Sequence, residues 1–241
     1  MTLKAVLIGF NGTLFHSEPL RRQLWEKILD EQGYGLRSGE YDCFLLGRAD
    51  AEALDHLWAS WSRPFAPDLR QHLLDTFSHR YRQTLTTGKG PALFPDAGDF
   101  LFRLRLEQLA LALVTRSARW EVESVLGDSP WLTYFSVLVT GEEITHHKPD
   151  PWAYQAAIDR LNAHNPALDL RANQCLAVED TPAGIEAAHQ AGIAVVGVAH
   201  TLPLHMVQRR VEWGVDRLLD LEISRIKAAF SDLLESPAPQ P

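Results

Sequence analysis

The stretch Leu3-Lys4-Ala5-Val6-Leu7-Ile8-Gly9-Phe10-Asn11-Gly12-Thr13-Leu14 decides how the rest of the chain is read. Leu3–Ile8 is a short apolar run closed by Gly9 and the turn pair Asn11-Gly12, the pattern of a buried strand. From Ser17 to about Gly88 no second strand follows. Leu20, Leu24, Trp25, Ile28 and Leu29 recur at helical spacing, as do Ala53, Leu54, Leu57, Trp58 and Trp61. Leu69, Leu73, Leu74, Phe77 and Tyr81 form a third set, with Pro64 and Pro67 as punctuation. Spacings of three and four predict amphipathic helices packed on one another.

Beyond Gly88-Lys89-Gly90-Pro91 the texture alternates. Helices are predicted at Asp96–Leu106, Ala118–Leu126, Trp152–Leu161 and Pro182–Ala191, and strands at Leu109–Val114, Val137–Thr140, Cys175–Val178 and Ile193–Val198. Short β-rich runs alternating with helical stretches imply βαβ units and a parallel sheet. The simplest α/β architecture puts Leu3–Ile8 in that sheet. It gives a doubly wound core of residues 1–15 and 91–236, with a helical cap, 16–90, inserted after the first strand. Residues 237–241, in a segment Ser236–Pro241 with three prolines, are expected to form a flexible tail.

Composition narrows the function classes. The 241 residues carry 23 Lys and Arg against 31 Asp and Glu, a net charge of −8. That balance argues against a general nucleic-acid binder, which needs a basic face. Apolar content of 46% excludes bulk disorder. Two cysteines, Cys43 and Cys175, make neither a disulfide framework nor a four-cysteine zinc site, and both read as packing residues. The longest apolar stretches fall far short of the roughly 20 residues of a membrane span. No basic segment followed by an apolar core and a cleavage site opens the chain. The expectation is a soluble, cytoplasmic protein without a membrane partner.

In an open parallel sheet, ligands bind at the carboxyl ends of the strands. The residues there are Gly9, Asn11 and Gly12; Thr115, Arg116 and Ser117; His146, His147 and Lys148; and Glu179, Asp180 and Thr181. A hydroxyl, a lysine and an acidic pair around a glycine-flanked loop suit a phosphate and a magnesium ion. Thr181 before Pro182 reads as a helix N-cap. Adjacent His146 and His147 point apart on any regular element, and Trp25, Trp58 and Trp61 read as core or interface.

The motifs Val6-Leu7-Ile8-Gly9-Phe10-Asn11-Gly12-Thr13-Leu14 through His16-Ser17-Glu18-Pro19, Val114-Thr115-Arg116-Ser117, Lys148-Pro149-Asp150-Pro151 and Val178-Glu179-Asp180-Thr181-Pro182-Ala183-Gly184-Ile185 stand in a telling order. They resemble the haloacid dehalogenase-like superfamily, in particular its β-phosphoglucomutase and phosphoglycolate phosphatase-like branch with a helical cap. The resemblance runs from about Leu3 to Val198. It implies a phosphate-binding hydroxyl at Thr115, a site lysine at Lys148, and magnesium ligands at Asp180, Glu179 and the backbone carbonyl of Asn11. Arg116, where the family often has a small polar residue, would either add an anion contact or fill the vacated site. Arg48, after Gly47, falls on a cap loop that faces the active site in related enzymes, where it would either read substrate or stand as a solvated arginine.

The departures sit at the centre of that resemblance. The family's first strand ends in Asp-x-Asp, the nucleophile and the general acid/base; here these positions are Gly9 and Asn11, and His16 stands where a further aspartate is frequent. Glycine carries no nucleophile and an amide shuttles no proton. Loss of a covalent nucleophile costs about four to six orders of magnitude in kcat. The family's nucleophile is also a metal ligand, so the implied Mg²⁺ site is weakened. The expectation is a catalytically degenerate phosphatase or phosphomutase homologue that binds a phosphorylated small molecule or a protein partner, regulating or scaffolding. Alternatives are an active Mg²⁺-dependent hydrolase or mutase with its nucleophile relocated to His16, Ser17 or Thr13, and a purely structural interaction subunit. The oligomeric state stays open.

Overall fold

In the computed structural model, which describes residues 2–87, 90–127 and 129–232, the opening apolar run is strand β1 (Ala5–Ile8), buried along its whole length. Five more strands follow: β2 (Ala110–Val114), β3 (Val137–Val139), β4 (Cys175–Glu179), β5 (Ala194–Val198) and β6 (Trp213–Val215). They form one parallel sheet in the order β3-β2-β1-β4-β5-β6. β1 is central, and Ile8 pairs with Leu113 on one side and Val178 on the other. The strand order reverses between β1 and β4, which is where a doubly wound sheet opens a ligand crevice.

Two compact units divide the chain, one of residues Phe15–Ala92 and one of the segments on either side of it. The Phe15–Ala92 unit holds helices α1 (Glu18–Glu31), α2 (Asp50–Ser60) and α3 (Pro67–Thr86), with a short π-helical turn at Tyr41–Leu45. Its interior is made by the side chains whose spacing announces the helices. Trp25, Ile28, Leu29, Ala53, Leu54, Leu57, Trp58, Leu73, Phe77 and Tyr81 are all buried. Trp25 stacks on Phe77 at 4.4 Å between ring centroids, and Trp58 on Phe65 at 4.0 Å. Arg21 is held there by an ion pair with Asp50 and by the faces of Phe77 and Tyr81.

Helices α4 (Ala97–Leu106), α5 (Arg119–Leu126), α6 (Trp152–His164), α7 (Pro182–Gln190), α8 (Leu204–Val207) and α9 (Ile223–Asp232) belong to the α/β unit. One sheet face, including Ala5, Leu7, Ala112, Val114, Cys175 and Ala177, packs with Tyr154, Ala157 and Leu161 of α6 and Ile185, Ala187 and Ala188 of α7. The alternate residues Val6, Ile8, Leu111, Leu113, Leu176 and Val178 are equally buried. Burial on both faces is why these strands read as continuous apolar runs without alternation.

The predicted strands and helices up to Val198 are present with ends shifted by up to three residues, the largest shift being α6, which runs on from Leu161 to His164. Beyond them the structure adds β6, α8 and α9. Among the described residues no helix is long and apolar enough to cross a membrane. The segment expected as a tail, 237–241, lies outside the described residues.

Candidate functional site

At the reversal point the chain leaves β1 through Gly9, whose N–H donates to the Val178 carbonyl at 2.9 Å, and turns at Gly12. Gly12 has a φ of +74°, and a Cβ there would lie 1.9 Å from Asp180 Oδ2 and 2.5 Å from Thr201 Oγ1. Only glycine serves both demands, left-handed backbone and close approach to a carboxylate. The next residue, Thr13, donates its hydroxyl to Asp180 Oδ1 at 2.9 Å. Thr201, just past β5, donates to the other oxygen, Oδ2. Burial pushes the Asp180 carboxyl well above the ordinary carboxylate range, and neighbouring Glu179 pushes it the same way. The neighbouring His200 ring stacks on Phe94 at 3.7 Å and meets the Thr13 carbonyl through Nδ1 at 3.1 Å.

Glu179 closes β4 and turns inward. Its Oε1 accepts from the Lys148 ammonium and from the Tyr154 hydroxyl, the latter at 2.6 Å, while Oε2 faces the Asp180 N–H at 3.3 Å. Side-chain exposures of 9% for Lys148 and 3% for Glu179 make this a buried ion pair. Lys148, followed by a cis peptide to Pro149, also donates to the Val114 carbonyl at 3.2 Å, so it ties the end of β2 to the end of β4. Burial, then the Glu179 charge, drives the Tyr154 phenol far above its ordinary value, which keeps it a donor. Gly184 makes room for the carboxylate: a Cβ there would lie 2.1 Å from Glu179 Oε2. Thr181 caps α7 by accepting from the Gly184 N–H at 3.2 Å, with Pro182 in the first turn.

The end of β2 supplies the neutral donors. Thr115 and Ser117 are both buried, and Thr115 Oγ1 accepts from the Ser117 N–H at 3.0 Å. Ser117 Oγ accepts from Asn11 Nδ2 at 2.8 Å. Both hydroxyls act as acceptors in these bonds, so each retains a hydrogen to give. Asn11 Oδ1 is buried and accepts no hydrogen bond among the described residues.

The structure therefore gathers Gly9, Asn11, Thr115, Lys148, Glu179 and Asp180 at one end of the sheet. Arg116 follows Thr115, half-buried, with its carbonyl against Gly141. Arg48 belongs to the Phe15–Ala92 unit, where its guanidinium meets Glu52 at 3.5 Å and His56 Nδ1 at 3.4 Å. His16 and Ser17 belong to that unit as well. Thr13, in the α/β unit, has no exposed surface, so its hydroxyl is sealed behind the loop that carries it. Ser117, Thr201 and Tyr154 are site residues that sequence reasoning did not assign. Ser117 was visible as the end of the Thr115-Arg116-Ser117 motif; Thr201 and Tyr154 carry no signal, because only the packing of the segment after β5 and of α6 against the sheet brings them to Asp180 and Glu179.

As a magnesium site the donor set falls short. Position 9 supplies no carboxylate, both Asp180 oxygens accept threonine hydroxyls, and Glu179 is taken by Lys148 and Tyr154. Among the described residues no three His, Cys, Asp or Glu side chains gather as a metal cluster. The Asn11 carbonyl alone supplies no charge.

Comparison with known proteins places this geometry. Validoxylamine A 7'-phosphate phosphatase of Streptomyces hygroscopicus subsp. limoneus is 28% identical over 208 residues, covering 82% of this chain and 86% of that protein. Protein CbbY of Rhodobacter capsulatus is 27% identical over 205 residues, covering 81% and 85%. A solved β-phosphoglucomutase from Clostridium difficile superposes with a TM-score of 0.78 at 17% identity, over 97% of this chain and 100% of that one, a likeness of fold. The haloacid dehalogenase-like hydrolase family matches across residues 6–198, four-fifths of the chain. The chain belongs to the haloacid dehalogenase-like hydrolase family.

Proposed function

We propose that this chain is a non-hydrolytic member of its family, which binds a phosphorylated small molecule at the end of β1, β2 and β4 and acts through that binding, in a regulatory or scaffolding role. One observation carries the reading. The backbone of Gly9 stands where the family's nucleophile would leave β1, and a Cβ there would point at Thr13 Oγ1, 2.7 Å away, and at Glu179 Oε1, 3.4 Å away. Position 9 therefore faces the site without a nucleophilic atom. Asn11 is a hydrogen-bond donor to Ser117 where an acid/base group would be needed. The hydroxyls of Thr115 and Ser117 supply donors for phosphate oxygens. The ligand class is supported by the relative whose printed name states a phosphomonoester, validoxylamine A 7'-phosphate.

A second reading, a hydrolase with a relocated nucleophile, is favoured by the 2.9 Å bond from Thr13 to Asp180, a hydroxyl beside a base. The complete burial of Thr13 weighs against it. The test incubates the full chain with a panel of phosphomonoesters in Mg²⁺ and follows phosphate release and thermal stability together. Stabilisation by one or more esters without release supports the proposal. Turnover at about 1 s⁻¹ or faster overturns it, and loss of that turnover in Thr13→Val would establish the second reading.

A further inference from the structure

We propose that this site carries its own counter-charge and takes up no divalent cation, so that phosphate is bound as well in the presence of a chelator as in Mg²⁺. The inference deepens the reading above and rests on it for the ligand; the part concerning the cation stands on the geometry alone.

Every carboxylate oxygen of the acidic pair already has a protein partner. Asp180 Oδ1 and Oδ2 accept from Thr13 and Thr201, and Oδ2 lies so close to the Gly12 backbone that a methyl group there would overlap it. Glu179 Oε1 accepts from Lys148 and Tyr154, and Oε2 lies against the Asp180 N–H and the Gly184 backbone. Mg²⁺ demands near-octahedral oxygen ligands at about 2.0–2.1 Å and draws its charge compensation from carboxylates. To enter, it would have to compete with a threonine hydroxyl for an Asp180 oxygen or with a buried ammonium for Glu179. Separating a buried ion pair exposes each charge to its full desolvation cost.

The residue at position 9 explains why the balance holds. A carboxylate there would start from a Cβ 3.4 Å from Glu179 Oε1 and add a third negative charge to the cluster. With glycine, Lys148 cancels Glu179, and the two hydroxyls solvate Asp180. The cluster then carries one negative charge, on Asp180, where a carboxylate at position 9 would leave two for a divalent ion to neutralise. The buried acceptor left over, Asn11 Oδ1, is neutral.

Mn²⁺ bound to the full chain is measured by electron paramagnetic resonance, and inorganic phosphate binding by calorimetry in EDTA and again in Mg²⁺. The expected results are no saturable Mn²⁺ binding at millimolar metal and phosphate affinities equal within about twofold in the two buffers. Saturable binding of one Mn²⁺ that disappears in Asp180→Asn overturns the proposal, as does phosphate binding that requires Mg²⁺. Mn²⁺ binding that survives both Asp180→Asn and Glu179→Gln lies elsewhere on the surface and leaves the proposal standing, whereas binding lost in Glu179→Gln overturns it. Phosphate that binds in neither buffer defeats the ligand reading, while the Mn²⁺ titration still decides the cation.

Discussion

Replacing Lys148 by Met tests the built-in counter-charge directly. Methionine keeps most of the side-chain length and apolar contact and removes the ammonium. Glu179, 3% exposed, then keeps the Tyr154 hydroxyl and loses its cation, and the Val114 carbonyl loses a 3.2 Å donor. Breaking a buried ion pair by removing one partner costs about 3–5 kcal/mol. At about 2–4 °C per kcal/mol for a chain of this size, that corresponds to a Tm drop of roughly 6–20 °C at pH 8. Glu179→Gln alone leaves the ammonium unpaired and is expected to be costly too. The double variant Lys148→Met/Glu179→Gln removes both charges, so its loss should fall short of the sum by about 0.5–3 kcal/mol. Scanning calorimetry on wild type, both singles and the double between pH 5 and 8 provides the readings. A Lys148→Met Tm within about 2 °C of wild type at pH 8, or strict additivity in the double variant, would refute the reasoning.

Three further expectations test other parts of the structure. Gly12→Ala combines left-handed strain of about 1–2 kcal/mol with displacement of Asp180 from its hydroxyl partners, for a total of about 3 kcal/mol or more; Gly33→Ala, at φ +76° with nothing within 4 Å, should show the strain alone in the same urea melts. Thiol titration of the native chain at pH 8 should find one reactive group, the exposed Cys43, because burial pushes the Cys175 thiol up to about 12; two should appear after denaturation. Burial pushes the Glu212 carboxyl up, but the Val195 N–H at 2.8 Å and His189 outweigh it and hold the group below its ordinary value of 4.5. Its contribution is then present above that value and lost as pH falls through the lower folded one, so Glu212→Gln should cost less than about 1 kcal/mol at pH 7 and nothing at acid pH, read as Tm against pH.

The amino-acid sequence alone determined the alternating layout and the absence of carboxylates at positions 9 and 11. β1, β2, β4 and β5 were legible because strands buried on both faces are continuous apolar runs, and α1 to α3 because their cores recur at helical spacing. The substitutions Gly9 and Asn11 were legible because a strand end is a fixed place in an open sheet and an absent carboxylate needs no coordinates to be seen. β6 was not legible: three residues, Trp213-Gly214-Val215, have no pattern of their own and become a strand only because β5 offers an edge to pair with. α9 left a trace in Ile223, Ile226 and Phe230, a spacing of three and four. What only the tertiary structure decided is how the acidic pair is used. Thr201 is 21 residues from Asp180, and Lys148 is 31 from Glu179. Their meeting depends on sheet register and on the glycines that let backbone touch carboxylate. The sequence places two acids side by side, and the fold pairs their oxygens with a lysine, a tyrosine and two threonines.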